Sequence, residues 1–64
     1  MSYLIYSLLL DDVVRFEKSK QIVIYDDINE ARTDASGLGP GFFVHSLEDA
    51  MPKHRNEVKN QQHD

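Results

Sequence analysis

Two adjacent pairs of carboxylates, Asp11-Asp12 and Asp26-Asp27, are the first candidates for chemistry in this sequence. Two acids that converge on one point can share a proton or hold a divalent cation. Neighbours on an extended chain point to opposite faces, however, so neither pair converges. Turn and helix-cap roles account for both. His45, His54 and His63 follow one another at intervals of nine residues, which puts no two of them on one helical turn or one local loop, and no metal ion is expected. Gly37, Gly39 and Gly41 echo a phosphate loop, but such a loop needs a strand before it and a helix N-terminus after it, and here the order is reversed. Ser7, Ser36 and Ser46 lack the context of a nucleophile elbow. The expectation is a protein with no catalytic residue, no metal and no cofactor.

What the charges can do is bind. Residues 1 to 50 carry nine acids (Asp11, Asp12, Glu17, Asp26, Asp27, Glu30, Asp34, Glu48, Asp49) against four bases (Arg15, Lys18, Lys20, Arg32), a balance of −5 within a chain of net charge −4. So acidic a surface repels a phosphate backbone and favours a basic protein partner, so no direct nucleic-acid contact is expected. Solubility alone is the competing account of the same charges. Glu30 and Asp34 lie four apart, which sets like charges together on a helix at a cost of a few tenths of a kcal/mol. Local conflicts of this kind are expected where function, rather than folding, sets the residue.

Sixty-four residues hold one hydrophobic core, and a core of this size rarely supplies more than roughly 3 to 5 kcal/mol without a staple. The chain has no cysteine, so neither a disulfide nor a thiolate zinc site can be that staple, and a reducing, cytoplasmic setting is expected. The apolar run Tyr3 to Leu10 has no basic residue before it and ends in two acids, unlike a secretory leader. It is also far shorter than a membrane span, so no membrane contact is expected.

The elements that must position these groups follow from periodicity. Tyr3 to Leu10 alternates as a strand, apolar on one face and partly on the other, and Asp11-Asp12 turns it into a second strand over Val13 to Glu17. Lys18-Ser19-Lys20 breaks the pattern before a β-branched third strand, Gln21 to Tyr25. The alternative is one long strand from Val13 to Tyr25 with a bulge at the lysines. Asp27-Ile28-Asn29-Glu30 has the capping-box form. Ile28, Ala31 and Ala35 then supply one helical stripe, with Gly37 placed to end the helix in a left-handed conformation. Leu38 to Gly41 must turn, and Phe42 to Leu47 alternates as a last strand. Phe42 and Val44 share one face, and Phe43, His45 and Leu47 the other. Phe43 and its face are a candidate apolar contact surface. After Ala50 the pattern fades, and Val58 is the only large aliphatic residue of 53 to 64, so residues 51 to 64 are expected to form a disordered polar tail. The fold expected for residues 1 to 50 is a single α+β domain of order β-β-β-α-β, an antiparallel sheet of three to four strands with one helix across it.

Ile24-Tyr25, Asn29-Glu30-Ala31 and Gly41-Phe42-Phe43-Val44 together resemble a pattern in the small RNA polymerase inhibitors of T7-like bacteriophages. In that family an isoleucine-tyrosine strand end, an acidic-Glu-Ala helix start and a glycine-phenylalanine strand opening follow one another in the same order. The resemblance spans roughly Ile22 to Glu48 and implies a small sheet crossed by one helix that docks into a cleft of bacterial RNA polymerase. The two arginines of the family's last strand fall here on Ser46 and Glu48, a departure that bears on the target more than on the fold.

Charge, size and resemblance lead to one functional expectation. This is a small acidic, phage-type inhibitor that occupies a basic cleft on a host nucleic-acid enzyme, RNA polymerase or a CRISPR effector, in the bacterial cytoplasm. Its contact residues are expected to be Asp11, Asp12, Asp26, Asp27, Glu30, Asp34, Phe43 and Glu48. The alternative is a self-associating module that uses a strand edge or an apolar sheet face.

Overall fold

A computed structural model describes residues 1–61 of the chain. The elements run β1 (Tyr3–Ser7), β2 (Asp12–Val13), α1 (Ile28–Leu38), β3 (Phe42–Ser46), a 3-10 turn (Leu47–Asp49) and α2 (Pro52–Gln61). The three strands form an antiparallel sheet in the order β2-β1-β3. The α+β architecture is therefore the expected one, with a second helix where a tail was expected.

β1 is central because it is apolar on both faces. Leu4, Ile5 and Ser7 are all buried along it. It pairs with β3 from Tyr3↔Ser46 to Ser7↔Phe42, and with β2 at Tyr6↔Val13 and Ser7↔Asp12. The strand stops at Ser7, short of the expected Leu10. The Ser7 hydroxyl accepts the Leu10 N–H at 3.2 Å, which folds Leu8 to Leu10 into a turn, and Asp11 completes it at φ 51°.

The expected second and third strands are present only as fragments. Val14 N–H reaches the Ile5 carbonyl and Val23 N–H the Val14 carbonyl, while bridges at Arg15↔Ile22 and Tyr3↔Tyr25 bring the rest of the segment alongside. The polar break at Lys18 to Lys20 is real. Lys20 takes φ 63°, a left-handed conformation that costs a side-chain-bearing residue about 1 kcal/mol and interrupts the ladder.

α1 starts where the sequence places it. Asp27 is extended at φ −113°, ψ 122°, and its Oδ1 accepts the Asn29 N–H at 2.9 Å. Ala31 and Ala35 form the buried stripe, and their small side chains let the helix lie close to the sheet. The helix runs past Gly37 to Leu38. Gly39, at φ 107°, ends it by donating its N–H to the Ala35 carbonyl. The stop belongs to Gly39 because only there does the backbone enter a region closed to other residues.

Residues 52 to 61, expected to be disordered, form α2. Pro52 opens the helix at a position whose N–H would have no partner in any case. His54 and Val58, four apart, are buried. Val58 closes a core with Leu4, Val13 and Ile22, and Ile24, Leu47 and Ala50 pack around it. Since Leu4 and Ile5 point to opposite faces of β1, α2 covers the Leu4 face while α1 covers the Ile5 face. The sheet is thus a middle layer. The last part of the expected tail, residues 62–64, lies outside the described residues.

Candidate functional site

The contact residues expected from sequence fall into separate groups. The Asp26-Asp27 group lies beyond the Tyr3 end of β1, because Tyr25 pairs with Tyr3 and leads directly into it. From there α1 carries Glu30 and Asp34 on one flank of its buried stripe, while Arg32 falls on the other flank at about 100° per residue. The Tyr25 hydroxyl donates to Asp34 Oδ2 at 2.8 Å and ties this flank to the sheet. Burial and the bond to Asp34 together push the Tyr25 phenol up to about 12, with Glu30 adding to the effect. Asp26, Asp27, Glu30 and Asp34 are all exposed. None is ion-paired with a Lys or Arg among the described residues.

Asp11 and Phe43 lie toward the opposite end of β1, roughly 14 Å away at 3.4 Å per residue. Tyr6 joins them. Its hydroxyl donates to Asp11, and in the sheet it stands directly across from Phe43. The bond to Asp11 is also the main reason the Tyr6 phenol is raised. Beside Asp11 the turn exposes Leu8, Leu9 and Leu10, with Leu9 at 86%. Three consecutive exposed leucines are an apolar tip of the kind that marks an interaction site, and the sequence hid it by reading as a continued strand. Glu48 sits in the 3-10 turn that follows β3, at the Tyr3 end of the sheet, where the Leu47 N–H bonds to the Ser2 carbonyl.

Asp12 has an internal role. It accepts from Arg15 Nε at 3.2 Å and from the Val13 N–H at 2.7 Å, and its Oδ1 lies 3.2 Å from His54 Nε2. Burial alone would raise the Asp12 carboxyl, but the bonds from Arg15 and Val13, with the charges of Arg15 and His54, bring it below the ordinary carboxylate range. Arg15 reaches on to Glu57, donating from Nη2 to Oε1 at 2.9 Å and from Nη1 to Oε2. Glu57 is lowered chiefly by that contact, and Arg15 is raised by Glu57 first and Asp12 second. Sequence reasoning missed Arg15, His54, Glu57 and Gln61. The available signal was the spacing of His54, Glu57, Val58 and Gln61, which is that of one helical face.

The face of the sheet that α2 shares was expected to be an apolar contact surface of Phe43, His45 and Leu47. The last of these leaves the strand for the 3-10 turn and packs into the core, while Phe43 stays 48% exposed. Between the sheet and α2 a groove of about 240 Å³ remains, lined by Leu4, Tyr6, Val13, His45, Asp49, Ala50, Met51 and His54. Small-molecule sites usually begin at roughly 300 Å³, so the groove is small for one. No family model, curated protein or solved structure matches the chain. The reading of function therefore rests on geometry. Among the described residues no cluster of three or more His, Cys, Asp or Glu side chains could hold a metal ion, and no helix is long and apolar enough to cross a membrane.

Proposed function

We propose that the protein is a small non-enzymatic inhibitor that uses the acidic flank of α1 to occupy a basic cleft on a nucleic-acid-handling enzyme. The observation that carries this reading is that Glu30 and Asp34, on one flank of α1, and Asp26 and Asp27, just ahead of its first turn, are all exposed without cationic partners among the described residues. Glu30 and Asp34 are like charges on neighbouring turns, a cost to the helix that a basic partner removes. Asp27 and Asp34 are held by local hydrogen bonds that fix where their charge sits, so little ordering is left to be done on binding.

The action is competition. Carboxylates stand where phosphates would bind, and complementary charge speeds the encounter. The resemblance to the phage polymerase inhibitors makes bacterial RNA polymerase the first target to test and a CRISPR effector the second. Ser46 and Glu48, where that family carries arginines, leave contact with the target to α1 rather than to β3.

The test is titration of labelled protein against purified RNA polymerase and against a CRISPR effector, from low to high salt. Affinity for the true target should fall by about tenfold or more over that range. The variant Glu30→Gln/Asp34→Asn should bind more weakly and lose part of its salt dependence. Binding that ignores both salt and this variant would rule out the acidic flank as the contact surface, and absence of binding to either enzyme would remove both targets.

A further inference from the structure

β3 is an edge strand, and its outer side carries none of the devices that usually protect one. The order β2-β1-β3 leaves one of its sides without a neighbour. Between Phe42 and Ser46 there is no Lys, no Pro, no charged side chain and no bulge. The bonding phase of the strand follows from its ends. Leu8 N–H bonds to the Gly41 carbonyl and Leu47 N–H to the Ser2 carbonyl, and both pairs continue the β1-β3 register. Bonded pairs alternate in an antiparallel ladder, so Phe43 and His45 spend their backbone groups on β1. The N–H groups of Phe42, Val44 and Ser46 point outward, and no hydrogen bond joins them to another described residue.

We propose that a second copy of this chain pairs antiparallel along β3, about a twofold axis at Val44, to give a continuous six-stranded sheet. This register is the one that uses all three outward residues. Val44 pairs with Val44 of the second copy, and Phe42 with Ser46 of the second copy in both directions. It also suits a chain of net charge −4, because no acid meets an acid: Glu48 falls opposite Pro40 of the second copy. On the face away from α1, Phe43 falls beside His45 of the second copy. The ring of His45 already meets Tyr6 edge-on, with centroids 6.2 Å apart. The half-exposed Phe43 ring thereby gains an aromatic neighbour. Nothing lies within 4 Å of where a Cβ at Gly39 or Gly41 would stand, so the turn leading into β3 is open.

The chain has no native cysteine, so the register can be tested directly. Phe43→Cys and His45→Cys are made as separate proteins and oxidised alone and mixed. Positions 43 and 45 of two copies face each other in a non-bonded pair, about 4.5 Å between Cα atoms, within disulfide reach. Two copies of position 43 are diagonal neighbours at about 7–8 Å, beyond that reach. The mixture should give a disulfide-linked dimer, and neither variant alone should. Sedimentation of the unmodified protein over a range of concentrations should show the mass doubling, and Val44→Pro, which removes an outward N–H alone, should stay monomeric. A chain that sediments as a monomer at every concentration, or cross-linking as strong in each variant alone as in the mixture, overturns the proposal.

Discussion

Arg15 and Glu57, 42 positions apart in sequence, meet through two parallel hydrogen bonds that fasten α2 to the segment following β2. Arg15 spreads its remaining donors over Asp12 and the Lys20 carbonyl, so one guanidinium joins β2, the lysine turn and the second helix. His54 and Gln61 attach the same helix one turn to either side. Gln61 accepts the Ile22 N–H at 3.0 Å and donates to the Ile22 carbonyl at 2.8 Å, occupying the place a neighbouring strand would take.

A double-mutant cycle over Arg15→Ala and Glu57→Ala should return a coupling of about 1 kcal/mol. Both side chains are partly exposed, so solvent screens the pair and a larger value is not expected. Urea unfolding of the four proteins measures it. A coupling of zero would mean that the helix is held by His54, Val58 and Gln61 without this pair.

Acid should loosen this contact. Asp12 and Glu57 both have carboxyls lowered in the folded protein. Their stabilisation is present above the ordinary carboxylate pKa of about 4 and is lost as pH falls through the depressed folded values. Thermal melts between pH 6 and 2 should therefore show Tm falling at the acid end, and Arg15→Ala should flatten that fall. Tyr25 works in the opposite sense. Its neutral form is favoured in the fold, so its contribution is full below about 10 and disappears as pH rises through about 12. A phenolate absorbance titration should lose its last step in Tyr25→Phe.

Two glycines two residues apart should respond in opposite directions. Gly37 lies within α1 with nothing near its missing Cβ, so Gly37→Ala should stabilise by about 0.5–1 kcal/mol. Gly39 sits at φ 107°, ψ −171°, and Gly39→Ala should cost about 1–3 kcal/mol. Denaturant midpoints of the two variants decide which glycine ends the helix.

Removal of residues 52 to 64 tests whether α2 belongs to the core. The deletion exposes Leu4, Val13 and Ile22, which Val58 covers, and strands the Ile22 backbone that Gln61 satisfies. Cooperative thermal unfolding should be lost. Gln61→Ala on its own should cost about 1–3 kcal/mol and speed amide exchange at Ile22.

The local elements were written in local chemistry. Asp27 caps α1 because its side chain competes for the amide two residues on, and any chain carrying Asp27 to Glu30 ahead of an alanine stripe would start a helix there. The alternation of Tyr3 to Ser7 and of Phe42 to Ser46 likewise reads as strand, although the same pattern in Leu8 to Leu10 gives a turn and in Gln21 to Tyr25 only isolated bridges. Local pattern could not reveal α2. The face it turns toward the sheet is His54, Glu57, Val58 and Gln61, three polar groups to one aliphatic, with only His54 and Val58 buried, and such a face can pack only once partners satisfy it. Those partners, Asp12, Arg15 and the Ile22 backbone, lie some forty residues away, and pairing at that range is fixed by the packed chain alone. The same holds for the proposed contact residues. Composition makes the chain acidic, but tertiary structure drew Asp12 inward, left Glu30 and Asp34 on one flank of α1 with Asp26 and Asp27 exposed ahead of it, and set Asp11 and Phe43 toward the far end of β1.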